Sequence, residues 1–193
     1  MIKHFSSVAL LLACALTSTT ASAHTGAHDI DGFISGLSHP FLGLDHLLVM
    51  LGVGLWASRL TRLNAGLTIA AFLSFMVCGA GLASSGLTIQ GVETGILASV
   101  LIVGLLLSVS RRLPSLLVIG LLAGFALLHG YAHGLEMPLA AAPVDYALGF
   151  LLATAILHGI GLGLGAMLNK HQFGLRASGY VTSGLGLYLL FNA

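Results

Sequence analysis

The chain has 193 residues, 57% of them hydrophobic and only 7% charged, with a formal net charge of +1 and a mean hydropathy of +1.03. A water-soluble domain of this size does not carry that composition, and the near-neutral balance does not point toward nucleic acid or an anionic substrate. The expected class is an all-α polytopic membrane protein built as one bundle. Its 26 glycines suit that class, because small residues let helix backbones approach closely in lipid.

Residues 1–23 read as a cleaved secretory signal. Lys3 supplies the basic start, VALLLACAL the apolar stretch, and Ala21-Ser22-Ala23 a small-residue cleavage site. Leu11-Leu12-Ala13-Cys14 offers an alternative lipoprotein cleavage box. Cleavage after Ala23 gives a periplasmic amino-terminal segment, 24–38, followed by a transmembrane domain, 39–193. Of the two cysteines, Cys14 and Cys78, only Cys78 then remains, so neither a disulfide framework nor a thiolate metal cage is available.

Six apolar stretches follow, near residues 39–58, 66–84, 94–110, 114–131, 147–168 and 177–192. Each approaches the roughly 17–25 residues that a membrane-crossing helix needs. Period-2 alternation is missing, which argues against a barrel. Every basic residue after the signal (Arg59, Arg62, Arg111, Arg112, Lys170 and Arg176) falls in the first, third or fifth connection. Basic connections stay cytoplasmic, so the second and fourth face outward, and both termini of the six-span bundle are expected outside. Gly120 with Gly124, and Gly161 with Gly165, have the spacing of close helix crossings.

Seven ionisable residues break the apolar background. His39, Asp45 and His46 fall in the first span, His129, His133 and Glu136 at the outer end of the fourth, and His158 inside the fifth. An ionisable group in hydrocarbon costs several kcal/mol unless it is paired, hydrated or ligated. His39 and His46, seven apart, would be nearly eclipsed on one helix and roughly 10 Å apart along its axis. His129, His133 and Glu136, spaced i, i+4, i+7, share one helical stripe. Glu93, at the outer start of the third span, is placed to join them. His24, which the signal's cleavage would leave as the amino-terminal residue, can chelate a metal with its own amine, helped by His28.

Imidazole and carboxylate donors together suit Ni2+, Co2+, Zn2+ and Cu2+. Each residue also has a structural alternative. His39 precedes Pro40 and could sit at an interface, Asp45 could anchor His46 by a hydrogen bond, and His158 could be a buried histidine donating to a backbone carbonyl. Met50, four residues after His46, reads as core, Asp145 as a helix start and His171 as a solvated loop residue.

HPFLGLDH at 39–46 and LHGYAHGLE at 128–136 resemble the two signatures of the HupE/UreJ family of hydrogenase and urease accessory proteins. The first is His, five residues, Asp-His; the second is Phe-His-Gly-x-Ala-His-Gly-x-Glu. Leu128 replaces the aromatic residue and leaves the His and Glu positions intact. The resemblance covers the whole mature chain. It implies nickel permeation in the service of hydrogenase or urease maturation, with His39, Asp45, His46, His129, His133 and Glu136 as the required residues. The nickel/cobalt transporter family is similar but places four residues between His and Asp.

The expected function is therefore non-enzymatic: a secondary permease in the bacterial inner membrane for a divalent transition metal, nickel first, with cobalt, copper and zinc also compatible. The metal would be captured by the amino-terminal histidines, passed to the ladder of spans one and four, and lowered past His158. No phosphate-binding loop is present for ATP hydrolysis. Two alternatives remain: a membrane receptor or store that binds metal without moving it, and an intramembrane metal hydrolase with Glu136 or Asp45 as base.

Overall fold

The computed structural model describes residues 32–109, 113–138, 141–169 and 172–192. The expected signal, His24, His28, Arg111, Arg112, Lys170 and His171 lie outside the described residues. Within them the fold is entirely helical: α1 (Gly32–Leu42), α2 (Leu44–Ala57), α3 (Arg62–Ser84), α4 (Val92–Ser108), α5 (Ser115–Glu136), α6 (Pro143–Leu168) and α7 (Gln172–Asn192). Three of these, α3, α5 and α6, are long and apolar enough to cross a membrane. The pair α1 and α2, bent by 83°, makes a fourth if it is one broken span, and α4 is apolar but shorter at 17 residues.

The stretch expected as a first helix, 39–58, is instead two helices. Helix begins earlier, at Gly32, and breaks at Gly43, whose backbone is extended (φ −92°, ψ 123°). Pro40 sits in the last turn of α1 and has no N–H to continue the ladder. The ladder restarts when the Leu47 amide donates to the Gly43 carbonyl at 3.0 Å. A side chain at 43 would crowd the site, because a Cβ there would stand 2.7 Å from His46 Nδ1 and 2.9 Å from Asp45 Oδ1. The break is thus written into Pro40 and Gly43, and it re-aims everything that precedes it.

In the bundle α3 packs most closely on α5, α4 on α7, and both α1 and α2 on α6. Gly161 and Gly165 lie against α2, beside the Leu51 carbonyl and Ser58, as expected of a close crossing. Gly120 and Gly124 have open space around them. On α5 the close approach is made by Gly130 against the Met76 backbone and by Gly134 against Ala80. Close packing had to fall where α5 meets α3, and glycine spacing alone does not say which pair does so.

The radial pattern is that of a protein in lipid. Leu67 and Phe75 on α3, Leu117 and Leu121 on α5, and Leu152 and Ile156 on α6 are exposed, whereas His46, His129, His133, Thr154 and His158 are buried. Cys78 is a free, exposed thiol on α3. At one end of the bundle lie the start of α2, the end of α5 and the start of α6, here the histidine end. At the other, Arg59 Nη1 donates to the carbonyls of Leu106 and Val109 at 3.0 and 3.2 Å, and Nη2 to that of Leu107. Asn169 Nδ2 donates to the Ser58 carbonyl at 3.1 Å. These bonds satisfy carbonyls that helix ends leave without partners and tie α2, α4 and α6 together at the arginine end.

Candidate metal centre

The stripe on α5 forms as the spacing requires. His133 Nδ1 stands 3.2 Å from Glu136 Oε2 one turn on, and His129 lies one turn deeper on the same face. The chain break brings α1 across to meet it: His39 Nε2 is 3.2 Å from the same Glu136 oxygen. His39, His133 and Glu136 thus offer three ligand atoms that all lie within 4.8 Å of one another. The carboxylate side chain is 47% exposed, His39 31% and His133 only 4%. The group opens to solvent on the carboxylate side and is closed behind the second imidazole.

His39 and His46 do not stack along one helix. The 83° bend at Gly43 places them on separate helices, and both rings face His133, His39 at 4.7 Å and His46 at 4.2 Å between centroids. His46 also meets His129 edge-on at 5.0 Å. Four imidazoles from three helices therefore form one continuous file.

Asp45 acts on its neighbour. Its Oδ1 accepts from the His46 backbone amide at 2.9 Å and stands 2.9 Å from His46 Nδ1. That contact directs Nδ1 to the carboxylate and leaves Nε2 facing inward, an arrangement that fixes the ring's orientation. His129 and His158 are held likewise: Nδ1 donates to the carbonyl of Phe125 at 2.8 Å in one and of Thr154 at 2.7 Å in the other. In each the tautomer that makes this bond leaves a lone pair on Nε2.

Those lone pairs have no protein partner. Among the described residues, the buried side-chain polar atoms without a hydrogen bond are Nε2 of His46, His129 and His158, both ring nitrogens of His133, the Tyr146 hydroxyl and the Thr154 hydroxyl. His133 Nδ1 approaches Glu136 closely yet off the line of a hydrogen bond. Buried polar groups are rarely left unpartnered, and here every one lies on the histidine file or on the face of α6 beside it.

Glu93, in the first turn of α4, stays apart from the three-ligand group. It is exposed and shares with Glu136 the wall of an open cavity of about 460 Å³, lined also by Ile89, Val92, Tyr131 and Leu135. Tyr131 anchors this rim. Its hydroxyl donates to the Leu87 carbonyl at 2.6 Å and accepts from the Ile89 amide at 3.1 Å, pinning the α3–α4 connection beside the site. Met50 is fully buried core.

Three aromatic residues at the centre are not foreseen by sequence reasoning. Phe150 packs its ring 4.2 Å from that of His133, Tyr146 lies 6.1 Å from His39, and Phe72 contacts both His129 and His158 at 6.4 and 5.0 Å. No signature spacing marks them. They become visible only once α1, α3 and α6 are assembled around α5.

A family model described as HupE / UreJ protein matches residues 12–189. The chain belongs to the HupE/UreJ family. It is also 38% identical over 163 residues to Protein HupE of Rhizobium leguminosarum bv. viciae, covering 84% of this chain and 85% of that protein. No solved structure matches it. The family match spans both histidine segments, so the site just described is built from parts that lie within the shared HupE/UreJ region.

Proposed function

We propose that this HupE/UreJ protein is a secondary permease for a divalent transition metal, Ni2+ foremost, crossing the bacterial inner membrane six times with the histidine end outside. The observation that carries the reading is the file of buried imidazole nitrogens without protein partners, which starts at a half-exposed carboxylate and runs inward. A lone binding site needs three or four ligands; a descending series serves transfer, because neighbouring sites of moderate strength let an ion exchange from one to the next. Orientation rests on the basic residues Arg59, Arg62 and Arg176 at the opposite end. On this reading residues 1–23 are a cleaved signal, and His24 makes first contact with the metal.

In the proposed sequence the hydrated cation is drawn to the rim by Glu93 and Glu136, and Glu136, His39 and His133 replace part of its water. It then passes to His46, held by Asp45, to His129 and finally to His158. The donor set, nitrogen with one carboxylate and no thiolate, fits Ni2+, Co2+, Zn2+ or Cu2+. The family's accessory role supports delivery of the ion to hydrogenase or urease maturation.

One observation favours a second reading, a membrane metal receptor: the helices are cross-linked at the arginine end by hydrogen bonds from Arg59 and Asn169. Uptake of radiolabelled nickel into proteoliposomes decides between them. Uptake abolished by changing His46 and His133 to alanine, with cobalt, zinc and copper as graded competitors, supports permeation. Stoichiometric binding without uptake supports the receptor.

A further inference from the structure

Both family-type histidine segments contribute to the upper part of the file, and none of their ionisable residues lies below His129. The bundle continues the series with different material. On α6, His158 and Thr154 sit one turn apart on one face, both fully buried, each with a polar side-chain atom that has no partner. At about 1.5 Å per residue, His129 lies roughly 10 Å, Phe72 roughly 18 Å and His158 roughly 22 Å from the histidine ends of their helices. His129 therefore lies nearer the histidine end than His158, and the Phe72 ring packs against both.

Phe72 is 1% exposed. Its ring is tilted by 53° to His129 and by 59° to His158, so it borders both imidazoles at once. Next to His158, α2 and α6 meet backbone to backbone: a methyl group at Gly54 would strike the His158 carbonyl. Phe72 itself offers only a hydrocarbon ring and no ligand atom. A desolvated cation finds no ligand there, and a hydrophobic constriction of this kind blocks ions until it moves.

We propose that Phe72 is the gate of the pathway, separating the upper histidine file from an inner station made by His158 Nε2 and the Thr154 hydroxyl. This rests on the permease reading and adds to it the residue that sets the rate of transfer between the two levels. Displacement of one ring opens the route, whereas the upper ligands load the ion whether the ring moves or not. Gate size should therefore control transfer and leave capture alone.

The test compares wild-type protein with Phe72→Leu and Phe72→Trp, both apolar and able to fill a core site. Nickel alone is titrated into the detergent-purified proteins by calorimetry, and nickel uptake is followed in proteoliposomes. The expected result is nickel affinity within about twofold of wild type for both variants, uptake at least about threefold faster for Phe72→Leu, and at least about tenfold slower for Phe72→Trp. His158→Ala, with Phe72 intact, should bind fewer ions per chain and also transport more slowly. Uptake equal to wild type in both Phe72 variants, slowed in both, or lost together with binding overturns the gate and makes Phe72 a packing residue. Absence of uptake by the wild-type protein itself overturns the permease reading and the gate with it, a result distinct from the others.

Discussion

The ring of His46, at the start of α2, lies 4.2 Å from the ring of His133, near the end of α5, tilted to it by 56°. Neither Nε2 atom has a protein partner. His133 is also the residue that meets every other part of the outer site, touching His39, Glu136 and Phe150. Replacing it with alanine removes a ligand common to the three-ligand group and to the file below. Nickel affinity measured by calorimetry should fall by at least about 100-fold, more than the 10–100-fold typical of an outer-shell partner. A variant that still bound nickel within a few-fold of wild type would detach His133 from the site.

Asp45 tests a different role. Its carboxylate touches His46 rather than joining the three-ligand group, so Asp45→Asn keeps the shape and an acceptor oxygen but removes the charge that orients the imidazole. The expected cost is on the order of 10–100-fold in nickel affinity, with the fold intact by circular dichroism. Asp45→Ala should cost more, because the His46 backbone amide also loses its acceptor. Equal, undiminished affinity in both would make the carboxylate irrelevant to binding.

Much of this could be read from the chain, and the part that could not has a definite cause. The α5 stripe was legible because one regular helix carries it, and i, i+4, i+7 on a helix admits a single geometry. Asp45 as the anchor of His46, and His158 donating to a backbone carbonyl, were readings the neighbouring residues allowed. The relation of His39 to His46 was not legible, since it depends on whether helix continues through Pro40 and Gly43. Once it breaks, the two histidines become neighbours of His133 instead of members of one column. Glu93 was placed near the rim by topology, but its distance from Glu136 depends on how α4 and α5 splay. Phe72 had no local mark at all: it matters only through what α5 and α6 bring to it.

Protons and metal compete for the same imidazole lone pairs, which sets the sign of the pH dependence. Ligating histidine must be neutral, so binding is complete where the imidazoles are unprotonated and weakens as acid protonates them. Nickel affinity followed from pH 8 downward should hold and then fall as protons displace the metal from the imidazoles. A flat profile would point to carboxylates as the main ligands.

The upper file depends on how closely α5 can approach α3, and that approach rests on Gly130, between His129 and His133. A methyl group at 130 would run into the Met76 backbone on α3, and backbone yields less readily than a side chain. Gly130→Ala should therefore push the two helices apart, cost about 1–3 kcal/mol as overpacking does, and weaken nickel binding because the histidines on either side move with the helix. Gly124→Ala is the matched control: it lies on the same helix, in open space, and substitutes a better helix former. Thermal unfolding in detergent should show a lowered midpoint for Gly130→Ala and an unchanged or raised one for Gly124→Ala. If both behaved alike, the α3–α5 contact would not be what holds the histidine stripe in place.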